Sequence, residues 1–280
     1  MMTANPLHDL RSSGPSVSKG HPGTTGSVAP DTRGDVHPAM LPGAVSPRPE
    51  PTRATEGVAD ADAVLREELH RLGRYEDAWG RLKIRLHPAS YLKRQDASHF
   101  VLRKVADGIA GLLVCDLGFA NISVPSVLAA GWGVPADEVW ARALQNVRAE
   151  GRLDEVPGKE FGVPLDLLAS SSHYAASHLL FLEDYMPGDA GYGALVGVPQ
   201  RHLLVRHIIR DREVFQAIHL MSQVIDDWYV ADAGPISRDL YWWRGGQITR
   251  LVLDRRTNGL VLGTSEPFAG EVLAKVLAGS

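Results

Sequence analysis

Apolar residues bunch most densely between Phe100 and Val124, FVLRKVADGIAGLLVCDLGFANISV, where two β-type runs flank Asp107-Gly108. Asp-Gly between apolar runs favours a tight hairpin turn, because both residues tolerate positive φ at little steric cost. On the first arm Val101, Arg103 and Val105 alternate with Phe100, Leu102 and Lys104, which predicts a half-exposed strand. The second arm, Ile109 to Leu117, is almost unbroken apolar sequence, as expected of a central strand covered on both faces. Cys115 sits in the middle of that arm and reads as a small buried hydrophobe.

The same patterning organises the flanks. Ala61, Leu65, Leu69 and Leu72 make a helical stripe capped at Asp60 or Asp62 and ended by Gly73. Leu82, Ile84 and Leu86 alternate with Lys83, Arg85 and His87, a half-buried strand stopped by Pro88. Pro125 opens a short helix toward Trp132, and Pro135 starts a longer one with Trp140, Ala143, Leu144 and Val147 on one face. Gly151 to Pro164 reads as exposed turns. Leu165–Ala169 and His173–Leu182 fit either two strands or a strand leading into a short helix. Ala194–Val198 predicts a strand closed by Pro199, with a helix or strand running on to Ile209. Val214, Ile218, Met221, Ile225 and Trp228 mark the strongest helix, over Arg212–Tyr229.

Leu240–Trp243, Gln247–Leu253 and Leu260–Leu262, joined at Gly245-Gly246 and Asn258-Gly259, predict a three-stranded meander. A helix from Pro267 packs Phe268, Val272 and Val276 on it. The fold class is therefore α+β: a mixed, largely antiparallel sheet with flanking helices and a C-terminal meander plus helix.

Residues 1–58 are different material. They hold half of the chain's 18 prolines and no aromatic residue, and their acidic and basic side chains cancel. Ordering such a stretch costs on the order of 50–100 kcal/mol of conformational entropy with little apolar burial to offset it. A disordered Pro/Gly/Ser-rich leader over 1–58 and a single α+β domain over 59–280 are expected. A translation start downstream of Met1 fits the Met1-Met2 opening equally well. A net charge of −4 offers no field for nucleic acid or anionic membrane. One cysteine excludes an intramolecular disulfide and a cysteine zinc cluster, and fits a reducing, cytoplasmic setting. No apolar run is long enough to span a bilayer, and the first residues lack a signal-peptide core.

Candidate chemistry is sparse. His173 and His178 are five apart, as are His202 and His207, and neither spacing gives the same-face pair of a helical metal site, so no metal or cofactor is expected. Asp226-Asp227 diverge by about 100° on a helix and read as a solvated helix end. The loop Pro187–Gly193 lacks the Lys-Ser/Thr ending of a phosphate-cradling loop. Ser170–Ser172 and Ser177 have no G-x-S-x-G elbow around them. Weak catalytic candidates are Ser177, Arg201, His202, His173 and His178. Tyr241, Trp242, Trp243 and Arg244 are the binding candidates. Strand alternation sends Trp242 to the face opposite its aromatic neighbours; one face is core, and the other either contacts a ligand or partner or is covered by a helix.

The blocks HFVLRKVADGIAGLLVCDLG, GWGVPADEVWARALQNVRAE, HYAASHLLFLEDYM and ALVGVPQRHLLV resemble, in order, those of the YtpQ-like bacterial family of unknown function. PISRDLYWWRGG resembles its C-terminal continuation, so the likeness spans about residues 98–244. The family has Arg-Asp after the proline of the fourth block, where this chain has Arg201-His202. The resemblance implies a cytoplasmic bacterial protein and points to Ser177 and Arg201, without supplying an activity. Together these features predict a non-enzymatic protein-interaction module, with a hydrolase or transferase built on a Ser/Arg/His cleft as the alternative.

Overall fold

The computed structural model describes residues 64, 66–68, 70–94, 99–158, 162–231, 234–256, 259–263 and 266–278. The expected leader, the helical stripe at Ala61, Leu65 and Leu69, and Asn258 of the last turn lie outside them. Arg71–Ser280 belong to one compact unit; residues 64, 66–68 and 70 belong to a second.

The Asp-Gly hairpin forms where its sequence places it. Strands β2 (Leu102–Ala106) and β3 (Ile109–Asp116) pair antiparallel, and Gly108 adopts φ 88° in the turn. The register shifts between Lys104 and Ala106, so Val105 is the extra residue of a β-bulge. β3 is central: β1 (Leu82–Pro88) pairs with one edge, while β2 and the short β4 (Asn121–Ser123) complete a four-stranded sheet. Ile109, Leu113 and Cys115 enter one hydrophobic cluster and Leu112 and Val114 another, which is why the arm is apolar on both faces.

Short helices α1 (Ala89–Arg94) and α2 (Ser126–Gly131) lead to α3 (Ala136–Arg148), which buries Val139, Trp140, Ala143 and Val147. Its first turn carries Asp137 and Glu138, where the helix dipole favours acidic groups.

Seven further strands make a second, wholly antiparallel sheet. They are β5 (Asp154–Pro157), β6 (Asp166–Ala169), β7 (Ala194–Gln200), β8 (Leu203–Ile208), β9 (Leu240–Arg244), β10 (Gln247–Arg256) and β11 (Gly259–Gly263). Their order is β11-β10-β9-β7-β8-β6-β5, so the predicted meander is the β9–β11 end of the sheet. The turn-rich reading of 151–164 is corrected, because β5 is an edge strand there and Leu153 and Val163 are buried. An edge strand needs few apolar side chains and tolerates Pro157, so its pattern is faint. Of the two readings for 165–182, the second holds: β6 is followed by a buried 3₁₀ stretch, Ala175–Tyr185. Pro199 does not close β7; a register shift between Gly197 and Gln200 absorbs it.

Each face of this sheet has its own core. Leu195, Val205, Leu240 and Trp242 pack with Val214, Ala217, Met221 and Ile225 of α4 (Glu213–Ala231) and with Phe268, Val272 and Val276. The last three lie on α5, which runs from Glu266–Phe268 through a π-helical Ala269–Leu273 into Ala274–Ala278. On the other face Val196, Leu204, Tyr241 and Trp243 share a cluster with Leu82, Ile84, Leu86, Ile109 and Leu113 of the first sheet. No helix among the described residues is long and apolar enough to cross a membrane.

Candidate functional site

The aromatic row chosen from the sequence as a contact surface is interior. Tyr241 is 0%, Trp242 6% and Trp243 7% exposed. Trp242 does face away from its neighbours, but α5 covers it: its ring meets Phe268 edge-on at 5.5 Å, and its Nε1 donates to the Tyr192 carbonyl at 2.8 Å. Tyr241 donates its hydroxyl to the Asp107 carbonyl at 3.0 Å, tying the first hairpin to the meander, and burial pushes its pKa up. Arg244, half-buried, pairs with Glu271 of α5. The binding assignment to Tyr241, Trp242 and Trp243 is therefore corrected: two covered faces leave them no surface to offer.

The five catalytic candidates do not gather. Ser177 is 1% exposed and donates its hydroxyl to the Ile84 carbonyl at 2.6 Å, anchoring the 3₁₀ stretch to β1. His178 is equally buried, with Nδ1 2.6 Å from the Tyr185 hydroxyl, and desolvation takes its pKa down to about 4. His173 and His202 do meet, with ring centroids 5.2 Å apart, and Nδ1 of His202 lies 3.0 Å from the Ser172 carbonyl. Arg201 lines a cleft that none of the other four lines, but it stays close enough to His173 to help lower its pKa, after burial. The expected cleft of Ser177, Arg201, His202 and one of His173 or His178 is therefore corrected, since Ser177 and His178 are buried and engaged within the core.

The cleft that Arg201 lines encloses about 460 Å³, and no sequence signal pointed to it. β1 supplies Arg85 and His87 from its polar face; α1 supplies Ser90 and Tyr91; Tyr229 comes from the last turn of α4. Arg201 enters from the turn between β7 and β8, whose path is held by Ala176 N–H donating to its carbonyl at 2.9 Å. Gly234 and Pro235 form the remaining wall, pinned to β7 by the Gln200–Pro235 bridge and by Ile236 N–H donating to the Pro199 carbonyl at 2.9 Å. A Cβ at Gly234 would lie 2.9 Å from Arg201 Nη2, so a side chain there would make the flexible guanidinium shift.

Among the described residues that line the cleft none is acidic. Three polar side chains of β1 point the same way, at positions 83, 85 and 87, and they meet different company. Lys83 pairs with Glu150 and lies 3.8 Å from Asp116. Arg85, two residues on, makes no ion pair with any described carboxylate, and burial and the neighbouring Arg201 both lower its pKa. His87 stacks on Tyr91 with ring centroids 4.5 Å apart; burial, then Arg85 and Arg201, hold its pKa down to about 4. The imidazole is thus neutral at pH 7.

A second cavity, about 430 Å³ beside the start of α4, is also rich in cations, with Arg210, Arg212 and Lys275. Asp211 and Glu213 line it as well, Arg210 reaches Asp189 at 3.3 Å, and Arg212 donates to the Leu277 carbonyl. Acidic side chains thus share this cavity with its cations. Asp226 lies 3.7 Å from Arg238, a helix-end pairing. Among the described residues no three His, Cys, Asp or Glu side chains are placed to hold a metal ion. No family model, curated protein or solved structure matches the chain.

Proposed function

We propose that this chain is a non-enzymatic interaction module of the YtpQ-like type, working in a bacterial cytoplasm, and that the cleft beside β1 receives a negatively charged group of its protein partner. The observation that carries this reading is Arg85. Its guanidinium is half-buried, beside a second arginine, with no described carboxylate paired to it. A guanidinium keeps its charge at any physiological pH, and charge withdrawn from water without a counter-ion is costly. An anion entering the cleft would relieve that cost and gain charge-assisted hydrogen bonds. The reading replaces the aromatic row by the cleft as the contact site and leaves the idea of a binding module as it was.

Calorimetric titration with sulfate, at constant ionic strength, tests it. Saturable binding by the wild type that weakens on Arg85→Gln is expected. Sulfate that never saturates, or binds Arg85→Gln as well as wild type, overturns the reading.

A further inference from the structure

β1 is an edge strand: β3 pairs with it on one side, and no described strand pairs with it on the other. In an antiparallel pair the backbone N–H and C=O of alternate residues point toward the partner strand, and those of the residues between point away. Asp116 N–H donates to the Arg81 carbonyl and Ala89 N–H to the Gly108 carbonyl, so the odd-numbered residues of β1 are the ones bonded to β3. Leu82, Ile84 and Leu86 therefore turn their backbone groups to the free edge. Two of those carbonyls are met there by side chains: Asn146 Nδ2 donates to Leu82 at 2.8 Å and Ser177 Oγ to Ile84 at 2.6 Å. Leu86 differs. Its side chain is buried in the core, no described residue meets its N–H or C=O at the edge, and it lines the cleft beside Arg85.

Resting on the anion-binding reading above, we propose that the cleft receives the carboxy-terminal end of a partner protein, with its terminal carboxylate on Arg85 and its last residues extended along the β1 edge at Leu86. A chain end joins a carboxylate directly to backbone N–H and C=O groups. The cleft offers a partner for each, a guanidinium and the two backbone groups of the adjacent residue. A carboxylate is planar, carries one negative charge and accepts two parallel hydrogen bonds from one guanidinium, so Arg85 alone answers it. Arg201 keeps its own interactions within the fold and is not called upon. Pro88, the next residue turned to the edge, has no N–H, which confines the added strand to Leu86 and leaves the carboxylate as its anchor. Pro88, Tyr91, Tyr229, Pro235 and Ile236 give the last side chain apolar surface, and about 460 Å³ lies within the range that ligand sites occupy.

Peptides of eight residues, tethered by their N-termini and randomised without Asp or Glu over the last four positions, are made with a free carboxylate and with a carboxamide. The full-length wild-type chain is expected to be retained on the first pool and at least roughly tenfold less on the second, and Arg85→Gln to lose retention to the same degree. The best-retained sequence is then titrated by calorimetry with each of its last three backbone nitrogens methylated in turn. One of these methyl groups, the one that removes the N–H donated to Leu86, is expected to cost roughly tenfold or more in affinity. Equal retention of acid and amide pools, or of wild type and Arg85→Gln, overturns the chain-end assignment. So does equal retention on an amide-ended pool carrying one internal Glu, which gives the cleft to an acidic side chain instead. Methylation without loss at any position, or acetate that binds as tightly as the peptide, overturns the edge pairing in favour of a small carboxylate. Sulfate that saturates the cleft when neither pool is retained overturns the chain end and leaves the anion site standing; failure of sulfate as well overturns both. Circular dichroism of Arg85→Gln guards against reading a folding defect as lost binding.

Discussion

β1 and β9 are strands of similar length that carry alternating side chains, and their fates diverge. In β9 both faces are covered, by α5 on the Trp242 side and by the first sheet on the Tyr241 and Trp243 side. In β1 one face, Leu82, Ile84 and Leu86, is core, while on the other Arg85 and His87 face a polar cleft and Lys83 pairs with Glu150. Period-two patterning tells which side chains share a face. It does not tell what lies over that face. The conspicuous aromatic row became interior, and a strand that looked ordinary became the wall of the site.

The widest separation between the two regions should appear in stability. Trp242→Ala removes a buried ring and its hydrogen bond to Tyr192, and an equilibrium urea titration should show a loss of about 3–5 kcal/mol. A Trp242→Ala protein of wild-type stability that failed only in binding would break the comparison and restore the surface reading. Trp243→Ala, on the opposite face of the same strand, should behave like it.

Much of the fold could be read in advance because its signals are local. Asp107-Gly108 fixes a turn, Leu82–Leu86 alternate, and Val214–Ile225 repeat at helical spacing, so hairpin, strand and helix follow from near neighbours. The site could not be read in the same way. Arg85, Tyr91, Arg201, Tyr229 and Gly234 come from five segments scattered over some 150 residues, and no short spacing links them. Arg201 alone was singled out, through the family resemblance, but for a different constellation. Ser177 and His178 misled for a related reason: a serine or histidine that satisfies a buried carbonyl or hydroxyl looks, in one dimension, like a reactive one.

The glycine-rich loop gives a second, somewhat smaller contrast. Gly193 has φ 79°, and a Cβ there would overlap the Trp243 carbonyl oxygen, a backbone atom that cannot yield. Gly193→Ala should cost about 3 kcal/mol by the same urea titration, combining left-handed strain with the clash. Gly234→Ala meets only the flexible end of Arg201 and should cost much less. Equal losses at the two glycines would mean that the cleft wall is as rigid as the core.

Acid should separate core from cleft as well. His178 stays neutral in the fold down to about pH 4, whereas in the unfolded chain it takes up a proton near its ordinary value of 6.5. The unfolded state therefore binds more protons between those values, and stability falls as pH drops from about 6.5 to about 4. The full loss from His178 is of order 3 kcal/mol. His87, also held down to about 4, acts in the same direction. Urea midpoints measured across that range should fall steeply for the wild type and more gently for His178→Gln. A slope unchanged by His178→Gln would show that its imidazole is not desolvated.

At Arg85 the expected effect on stability is the smallest of all. Arg85→Gln gives up no described ion pair and relieves repulsion from Arg201, so its unfolding free energy should stay within about 0.5 kcal/mol of wild type.

Whatever binds the folded chain and not the unfolded one raises its apparent stability by mass action. The most direct measurement is accordingly the urea midpoint of wild type and Arg85→Gln, each with and without excess sulfate at constant ionic strength. Matching midpoints without ligand, and a rise on adding it that only the wild type shows, are predicted. A bare Arg85→Gln protein as unstable as Trp242→Ala, or a ligand-induced rise of equal size in both chains, would contradict the assignment of the site to the polar face of β1.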